Sequence, residues 1–303
     1  MSVDSAQRST EPELHDDRLV QADGLIQPLA RWKADNPTAV VLFMHSFGDF
    51  REAAALTGPW LAGRGITVYA YDQRGFGETA RRGYWPGADA LIRDMRAVVD
   101  LLRQRYPSQP LHVIGESMGA SIALAADARG HLHEVEGLVA VGPGVRENIR
   151  FRRGWDALIR AGSRIAPGFN YPINRNDDGS LHPEAIERLA ADPRVFQQVR
   201  MDTYAGLVRL TDEASDRADA LSRPTLILYG SDDGMVPLAS VCALYRRHPG
   251  TRQLLIQQGG PHLLLQARDY RQSLGYIVDW IRDGSVAESR LTGGWQGHGC
   301  ARP

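Results

Sequence analysis

The stretch LHVIGESMGASIALAADA, residues 111–128, decides how the rest of the chain is interpreted. Its beginning is typical of a buried strand, and the residues from Met118 onward favour a helix. Between the two, Ser117 has one glycine two residues before it and another two residues after it, as a tight strand-to-helix turn requires. Such a turn exposes the serine hydroxyl at the edge of a sheet, so the stretch predicts Ser117 as a nucleophile.

Apolar runs bounded by Gly, Pro or Asp predict the strands of a sheet. The runs are 39–45, 67–72, 111–116, 138–142, 225–230 and, more weakly, 253–258. Helical patterns lie between them, for example over residues 90–106, where apolar side chains recur at helical spacing. Strands that alternate with helices indicate the α/β class, with a mostly parallel sheet and helices on both of its faces.

A nucleophilic serine needs a histidine base, and that base needs a carboxylate to fix its tautomer. In strand-turn-helix sites of this type the carboxylate precedes the histidine in the chain, and each follows a strand. Asp232 and Asp233 follow the run 225–230, and His262 follows the run 253–258. Either carboxylate satisfies this order, because the other one can cap the next helix or form a turn.

Several motifs together make the chain resemble the α/β-hydrolase family, in its branch of monoglyceride lipases, lysophospholipases and serine aminopeptidase-like hydrolases. The motifs are ADGLIQPLARW at 22–32, HSFGDF at 45–50, YDQRGFGET at 71–79 and DMRAVVDLLRQRYPSQPLHVIGESMGASIAL at 94–124. The resemblance extends from about Leu19 to Arg282. It implies the α/β-hydrolase fold with an inserted helical cap. The family places its acid three residues after the strand-end glycine, which here selects Asp233 after Gly230.

The resemblance also implies an oxyanion hole formed by the backbone N–H groups of Phe47 and Met118. One departure affects it: the family usually has His-Gly where this chain has His45-Ser46. A serine adopts a glycine-like conformation at a cost of roughly 1–2 kcal/mol, so we expect strain at Ser46 if the loop keeps the family's geometry. We expect His45 to brace this loop without transferring protons.

The alternation of strands and helices fails between Pro143 and about Leu221, over a length that is too great for a simple connection. We interpret this stretch as an inserted cap. The predicted division of the chain is 18–145 and 221–283 for the core, 146–220 for the cap, and 1–17 and 284–303 for two flexible tails.

The predicted cap contains the residues that we expect at the substrate. Phe196 and Tyr204 are the aromatic side chains predicted to line an acyl-binding wall. The first part of the insertion contains five apolar residues among six arginines: Ile149, Phe151, Trp155, Leu158 and Ile159. This pattern favours a packed helix with a solvated arginine face over one that lies on a membrane, and transient membrane contact stays open as the alternative.

Composition limits the partners. The 303 residues include 35 Lys and Arg against 36 Asp and Glu, so no basic field favours nucleic acid. Cys242 and Cys300 lie outside any zinc-ligand or CxxC spacing, and we expect neither a metal site nor a disulfide framework. No phosphate-binding glycine motif follows a strand, so no cofactor is predicted. No run reaches the ~20 apolar residues of a membrane helix, and we expect a cytoplasmic protein.

The activity that the resemblance implies is hydrolysis of carboxylic esters through an acyl-enzyme on Ser117, with a monoacylglycerol or lysophospholipid as the favoured substrate. An aminopeptidase-like or thioesterase activity is the first alternative, since the family is broad. The second is a non-catalytic, ligand-binding relative. Such relatives often lack members of the triad, whereas this chain keeps all three candidates. The sequence does not predict an oligomeric state.

Overall fold

The computed structural model describes residues 11–146, 154, 157, 159, 161–173, 179–297 and 300. Its strands are β1 Glu13–Leu14, β2 Arg18–Val20, β3 Ile26–Trp32, β4 Ala39–Met44, β5 Ile66–Tyr71, β6 Leu111–Glu116, β7 Gly137–Val141, β8 Asn170–Pro172, β9 Gln198–Arg200, β10 Thr225–Gly230, β11 Arg252–Gln257 and β12 Trp295–Gly297. Its helices with defined bounds are α1 Thr57–Ala62, α2 Ala88–Arg105, α3 Met118–Ala128, α4 Pro183–Ala191, α5 Met201–Asp216, α6 Leu238–Arg247 and α7 Tyr270–Asp283. No helix in these ranges is long and apolar enough to cross a membrane.

A ten-stranded sheet in the order β1-β2-β3-β5-β4-β6-β7-β10-β11-β12 organises the molecule. The six strands from β5 to β11 in this order are parallel, and β3 and β12 flank them in antiparallel pairing. The six predicted strands all form, so the α/β class and the mostly parallel sheet are confirmed. Parallel strands bring their carboxyl ends to one edge, where the loops after β4, β6, β10 and β11 meet.

Each face of the sheet is covered by helices. Along β4, Val40, Leu42 and Met44 belong to the apolar cluster that includes α2 and α3, because alternate side chains of a strand point to the same face. Val41 and Phe43 belong to the opposite cluster, which includes α1 and α7. All six residues of β4 are buried, which explains the continuous apolar run in the sequence.

Between β7 and β10 the chain leaves this sheet. Strands β8 and β9 pair with each other in a separate two-stranded sheet, and α4 and α5 lie in the same stretch. Leu210 and Ala214 of α5 are buried in the cluster that contains α3, so the insertion is anchored on the core. Of the five apolar residues predicted among arginines, Ile149, Phe151, Trp155 and Leu158 lie outside the described residues. Ile159 is buried against Ala205 and Val208 of α5.

Both ends of the described chain are more ordered than the sequence predicted. Glu13–Leu14 pairs with β2 within the segment 1–17 that was expected to be a flexible tail. Within 284–303, β12 pairs with β11, and the buried Trp295 packs edge-on against Tyr276 with ring centroids 5.2 Å apart. The tail predictions were therefore wrong for these strands, because short strands that complete a sheet carry no periodicity of their own.

A disulfide joins Cys242 of α6 to Cys300, where the sequence led us to expect no disulfide framework. They are 58 residues apart in the sequence, and the fold brings their Cα atoms to within 5.3 Å of each other. Short spacing patterns between cysteines carry no information on such a distant pair.

We predict that the Cys242–Cys300 bond stabilises the folded chain by constraining the unfolded one. For a loop of 58 residues, loop-closure entropy sets a contribution of about 4 kcal/mol. Urea unfolding of the wild type should show a loss of this order when a reductant is added. Cys300→Ser should lose the same amount without reductant and be insensitive to it. Equal midpoints for oxidised and reduced wild type would contradict the prediction.

Candidate active site

Ser117 lies in a strained turn between β6 and α3. Its φ of 53° and ψ of −111° fall outside the regions that side-chain-bearing residues normally occupy. Close packing enforces this turn. A Cβ on Gly119 would lie 2.1 Å from the carbonyl oxygen of Met44. A Cβ on Gly115 would lie 2.4 Å from the backbone nitrogen of Ala120. The two glycines thus allow the helix and its neighbouring strand to approach the serine closely.

His262 joins Ser117 to Asp233 in a continuous chain of hydrogen bonds. The imidazole Nε2 lies 2.9 Å from Ser117 Oγ, and Nδ1 lies 2.7 Å from Asp233 Oδ2. Because a carboxylate only accepts, Nδ1 carries the proton that it donates to Asp233, and the lone pair of Nε2 faces the serine hydroxyl. The three residues come from the loops after β6, β10 and β11, whose carboxyl ends share one edge of the sheet.

Burial and hydrogen bonds distinguish the two adjacent aspartates. The side chain of Asp233 has no exposed surface, and its Oδ1 accepts the backbone N–H groups of Met235 at 2.8 Å and Val236 at 2.9 Å. Asp232 is exposed, and its Oδ1 accepts a hydrogen bond from Ser231 Oγ at 3.0 Å. The structure therefore places Asp233, and not Asp232, against the histidine.

Of the two predicted oxyanion donors, Met118 directly follows Ser117, and Phe47 follows β4, the strand that pairs with β6. Met118 is the first residue of α3, so its N–H has no acceptor within the helix and lies at the positive end of the helix dipole. Phe47 lies in the turn after β4, and Gly48 takes the left-handed conformation of that turn with φ 73°. Ser46 is not among the positive-φ residues, so the strain expected at this position does not arise.

His45 is a buried brace of the same turn. Its Nε2 accepts the backbone N–H of Gln73 at 3.1 Å, and its Nδ1 donates to the carbonyl oxygen of Ser46 at 2.8 Å. One nitrogen accepts and the other donates, which is the pattern of a neutral imidazole. Burial lowers the pKa of His45 and so also favours the neutral form.

The two aromatic residues predicted at the substrate occupy different positions. Phe196 is buried, stacks on Phe76 at 5.3 Å between ring centroids and meets Phe47 edge-on at 6.1 Å. Its backbone N–H donates to the carbonyl oxygen of Gly48 at 2.8 Å, so it is fastened to the turn that carries Phe47. Tyr204 is half-buried in a separate small cluster in the insertion.

A buried polar network beneath the triad was missed by the sequence analysis. Glu116, directly before Ser117, is fully buried, and its Oε2 accepts a hydrogen bond from Gln266 Nε2 at 2.7 Å. Gln266 also accepts from Arg188 of α4 at 2.5 Å, and Arg188 forms a two-pronged ion pair with the fully buried Asp49. The available signals were a charged residue inside the strand-turn-helix stretch and an aspartate two residues after Phe47.

The described residues contain no group of three or more His, Cys, Asp or Glu placed to hold a metal ion. Within the triad, the Asp233 carboxylate already accepts three hydrogen bonds, two from backbone N–H groups and one from His262. The two backbone hydrogen bonds fix the carboxylate, and its other oxygen accepts the hydrogen bond from the imidazole. The arrangement suits proton transfer between a hydroxyl and an imidazole.

Comparison with known proteins identifies a family. Residues 35–269 match the hydrolase family described as Serine aminopeptidase, S33. Among curated proteins, the monoacylglycerol lipase of Mycolicibacterium smegmatis is 26% identical over 254 residues, which cover 82% of this chain and 90% of that protein. The human monoglyceride lipase is 25% identical over 259 residues, covering 81% of this chain and 82% of the relative.

A solved structure supports the fold. A soluble variant of the monoglyceride lipase from Saccharomyces cerevisiae, in complex with a substrate analog, superposes with a TM-score of 0.77 at 17% identity. The match covers 95% of this chain and 100% of that one. At this identity the likeness shows a shared α/β-hydrolase fold.

Glu116 generates a prediction on the pH dependence of stability. Burial raises its pKa from 4.5 to about 7, although hydrogen bonds from Gln266 and Leu265 act in the opposite direction. Between these values the folded state binds more protons than the unfolded state, so this group's stabilising contribution is lost as pH rises from about 4.5 to 7. The loss is at most about 3 kcal/mol.

Urea unfolding of wild type and Glu116→Gln across pH 4.5–8 measures this contribution, because all other groups titrate in both proteins. The wild type should lose stability relative to the variant as pH rises. Glu187→Gln, at an exposed position of α4, is the matched control and should leave the difference flat. A wild-type-minus-Glu116→Gln difference that is constant with pH would contradict the raised pKa.

Proposed function

The chain belongs to the hydrolase family described as Serine aminopeptidase, S33, and from this premise we propose that it hydrolyses the carboxylic esters of monoacyl lipids through an acyl-enzyme on Ser117. The observation that carries the proposal is the hydrogen-bonded chain from Asp233 through His262 to Ser117, at 2.7 and 2.9 Å. A serine poised in this way is activated for attack on a carbonyl carbon.

In the proposed first half-reaction, Ser117 Oγ attacks the ester carbonyl while His262 Nε2 takes the hydroxyl proton. The tetrahedral intermediate collapses, the carbon–oxygen bond of the ester breaks, and Nε2 returns the proton to the leaving alcohol. Asp233 stays ionised, holds the tautomer and stabilises the imidazolium. The N–H groups of Met118 and Phe47 stabilise the oxyanion, each by about 3–4 kcal/mol in the transition state.

In the second half-reaction, water attacks the acyl-enzyme. Nε2 of His262 takes a proton from this water, and the second tetrahedral intermediate forms with its oxyanion at the same two donors. Collapse of the intermediate breaks the bond between the acyl carbon and Ser117 Oγ, and Nε2 returns the proton to the serine. A fatty acid leaves, and the resting hydrogen bonds are restored.

A monoacyl lipid is the substrate class favoured by two lines of support. The relatives from Mycolicibacterium smegmatis and human are a monoacylglycerol lipase and a monoglyceride lipase. In this chain, the ring of Phe47 contacts the rings of Phe76 and Phe196 edge-on, and this aromatic cluster suits an apolar acyl group. We propose residues 146–220 as the cap over a core of 18–145 and 221–283, with Phe196 fastening it to the oxyanion turn.

An aminopeptidase-like activity, which the family description names, is the main rival. It would use acidic groups of the insertion to bind a substrate's amino group. Two carboxylates of this segment are instead held by arginines: Asp192 lies 2.7 Å from Arg194, and Asp202 lies 2.6 Å from Arg200. These pairs favour the ester substrate. A panel of carboxylic esters, thioesters and aminoacyl arylamides separates the three activities.

The disulfide provides information on the cellular compartment of the protein. Bonds such as Cys242–Cys300 persist in oxidising compartments, whereas the cytosol keeps thiols reduced. This pairing is a reason to place the protein in an oxidising compartment, against the cytoplasmic location expected from the sequence.

We predict a steep ranking among triad variants. Ser117→Ala should abolish ester hydrolysis and fluorophosphonate labelling while the protein stays folded, because alanine removes the nucleophile without adding bulk to the turn. Asp233→Asn should reduce kcat by about 10⁴-fold, since the histidine tautomer is lost. Asp232→Asn, the matched control, should stay within about threefold of wild type. The measurement is hydrolysis of p-nitrophenyl butyrate.

Two results would contradict the assignment. One is hydrolysis by folded Ser117→Ala at a rate near that of wild type. The other is a greater loss in Asp232→Asn than in Asp233→Asn, which would move the acid to the exposed position.

We predict that kcat/KM rises with acyl-chain length. Each buried methylene contributes up to about 0.8 kcal/mol, so four additional carbons should raise kcat/KM by about two orders of magnitude. Tyr204→Ala and Phe196→Ala should flatten this rise, whereas Tyr171→Ala, at an exposed position of the same insertion, should leave it unchanged. The measurement is kcat/KM for p-nitrophenyl esters from acetate to dodecanoate.

Because Phe196 is buried, its alanine variant leaves a cavity, and the profile should be measured below the unfolding temperature of that variant. Activity that falls steadily beyond acetate, with the same profile in both variants, would exclude a monoacyl-lipid substrate.

A further inference from the structure

Four side chains from four segments, three of them buried and one partly buried, form a connected network next to the triad. Asp49 follows β4 and lies two residues after Phe47, and Glu116 ends β6 directly before Ser117. Gln266 lies four residues after His262, and Arg188 is supplied by α4 of the insertion. Asp49, Glu116 and Gln266 are at most 1% exposed, and the side chain of Arg188 is 12% exposed.

Arg188 is the cation that pairs with the buried Asp49. Its Nη1 and Nη2 donate to the two carboxylate oxygens, the second at 3.1 Å. The same carboxylate accepts the backbone N–H of Phe50 at 2.9 Å, so the pair grips the main chain of the turn after β4. A buried carboxylate without a cation is strongly destabilised, and this turn is therefore tied to the position of the guanidinium.

Gln266 links the Arg188–Asp49 ion pair to Glu116, before Ser117, and to the loop that carries His262. Its Oε1 accepts from Arg188 Nη2 at 2.5 Å, which directs its Nε2 toward Glu116 at 2.7 Å. The backbone oxygen of Gln266 also accepts the N–H of His182, directly before α4, at 2.9 Å. The insertion thus holds the loop of His262 by a side chain and by the main chain.

We propose that Arg188 is a positioning residue for the reaction: through Asp49 and Gln266 it holds the Phe47 turn and the His262 loop in register with Ser117. This inference rests on the proposed function, since it assigns to the cap a role in building the catalytic geometry in addition to selecting the acyl chain. A displacement of the order of 1 Å in a catalytic group is enough to cost about 100-fold in rate.

The test combines kinetics with a probe of the tetrahedral state. Arg188→Gln should lower kcat by about 10- to 100-fold and leave KM within about threefold. An alkyl boronic acid, which forms a tetrahedral adduct with a catalytic serine, should inhibit this variant more weakly by a similar factor. Arg188→Lys keeps the charge without the two-pronged geometry and should lie between wild type and Arg188→Gln. Arg209→Gln, at an exposed position of α5, is the matched control and should behave as wild type.

Asp49→Asn and the double variant Arg188→Gln with Asp49→Asn complete a cycle. The double variant contains no unpaired buried charge at this pair, so it should fold even where Arg188→Gln alone does not. If the pair acts as a unit, the double variant should lose no more activity than Arg188→Gln, and the single losses should not multiply.

The outcomes separate the two proposals. A wild type that neither hydrolyses esters nor binds the boronic acid would overturn the proposed function itself. An active wild type whose Arg188→Gln or double variant keeps wild-type kcat and boronic-acid inhibition, while losing only thermal stability, would overturn the positioning role. Losses that multiply in the double variant would also overturn it.

Discussion

The structure depends on the close approach of backbone at the turn that carries Ser117. At Gly119 the chain leaves no room for a side chain against Met44, and Ser117, two residues earlier, has a φ of 53°. That conformation points the hydroxyl away from the sheet, toward the loops after β10 and β11. The parallel arrangement of the strands brings those loops to the same edge, so the site depends on both the close-packed turn and the topology of the sheet.

Around this turn, three buried carboxylates have different roles because their surroundings differ. Asp233 accepts hydrogen bonds from two backbone N–H groups and from the imidazole of His262. Asp49 is neutralised by Arg188. Glu116 has no direct cation, and burial raises its pKa to about 7. The residues packed around Ser117 on the protein side therefore include three buried carboxylates in addition to apolar side chains.

Local patterns in the sequence were sufficient for the six parallel strands of the sheet and for the order of the candidate triad. Apolar runs predicted β4, β6, β7 and β10 to within a residue, and the position of Ser117 between a strand and a helix was visible directly. The choice between Asp232 and Asp233 needed the family resemblance, since both follow the same strand. Phe196 was expected at the substrate and lies in a buried aromatic cluster beside Phe47, a placement that no helical or strand period encodes.

Contacts between distant segments were not predictable in the same way. Cys242 and Cys300 form a disulfide across 58 residues of sequence, and β12 pairs with β11 from beyond the last helix. Arg188 is one of many arginines in the insertion, and only the fold distinguishes it by placing it on Asp49. No spacing rule in the sequence connects these residues, so their contacts could be identified only from the three-dimensional structure.

The proposed mechanism requires that Ser117 carries the acyl group during turnover. Rapid acid quenching of the protein with a p-nitrophenyl ester, followed by mass spectrometry of its peptides, tests this most directly. We expect a burst of p-nitrophenol of up to one equivalent and an acyl adduct on the peptide that contains Ser117. Ester turnover in which no peptide, or a peptide from elsewhere in the chain, carries the acyl group would contradict it.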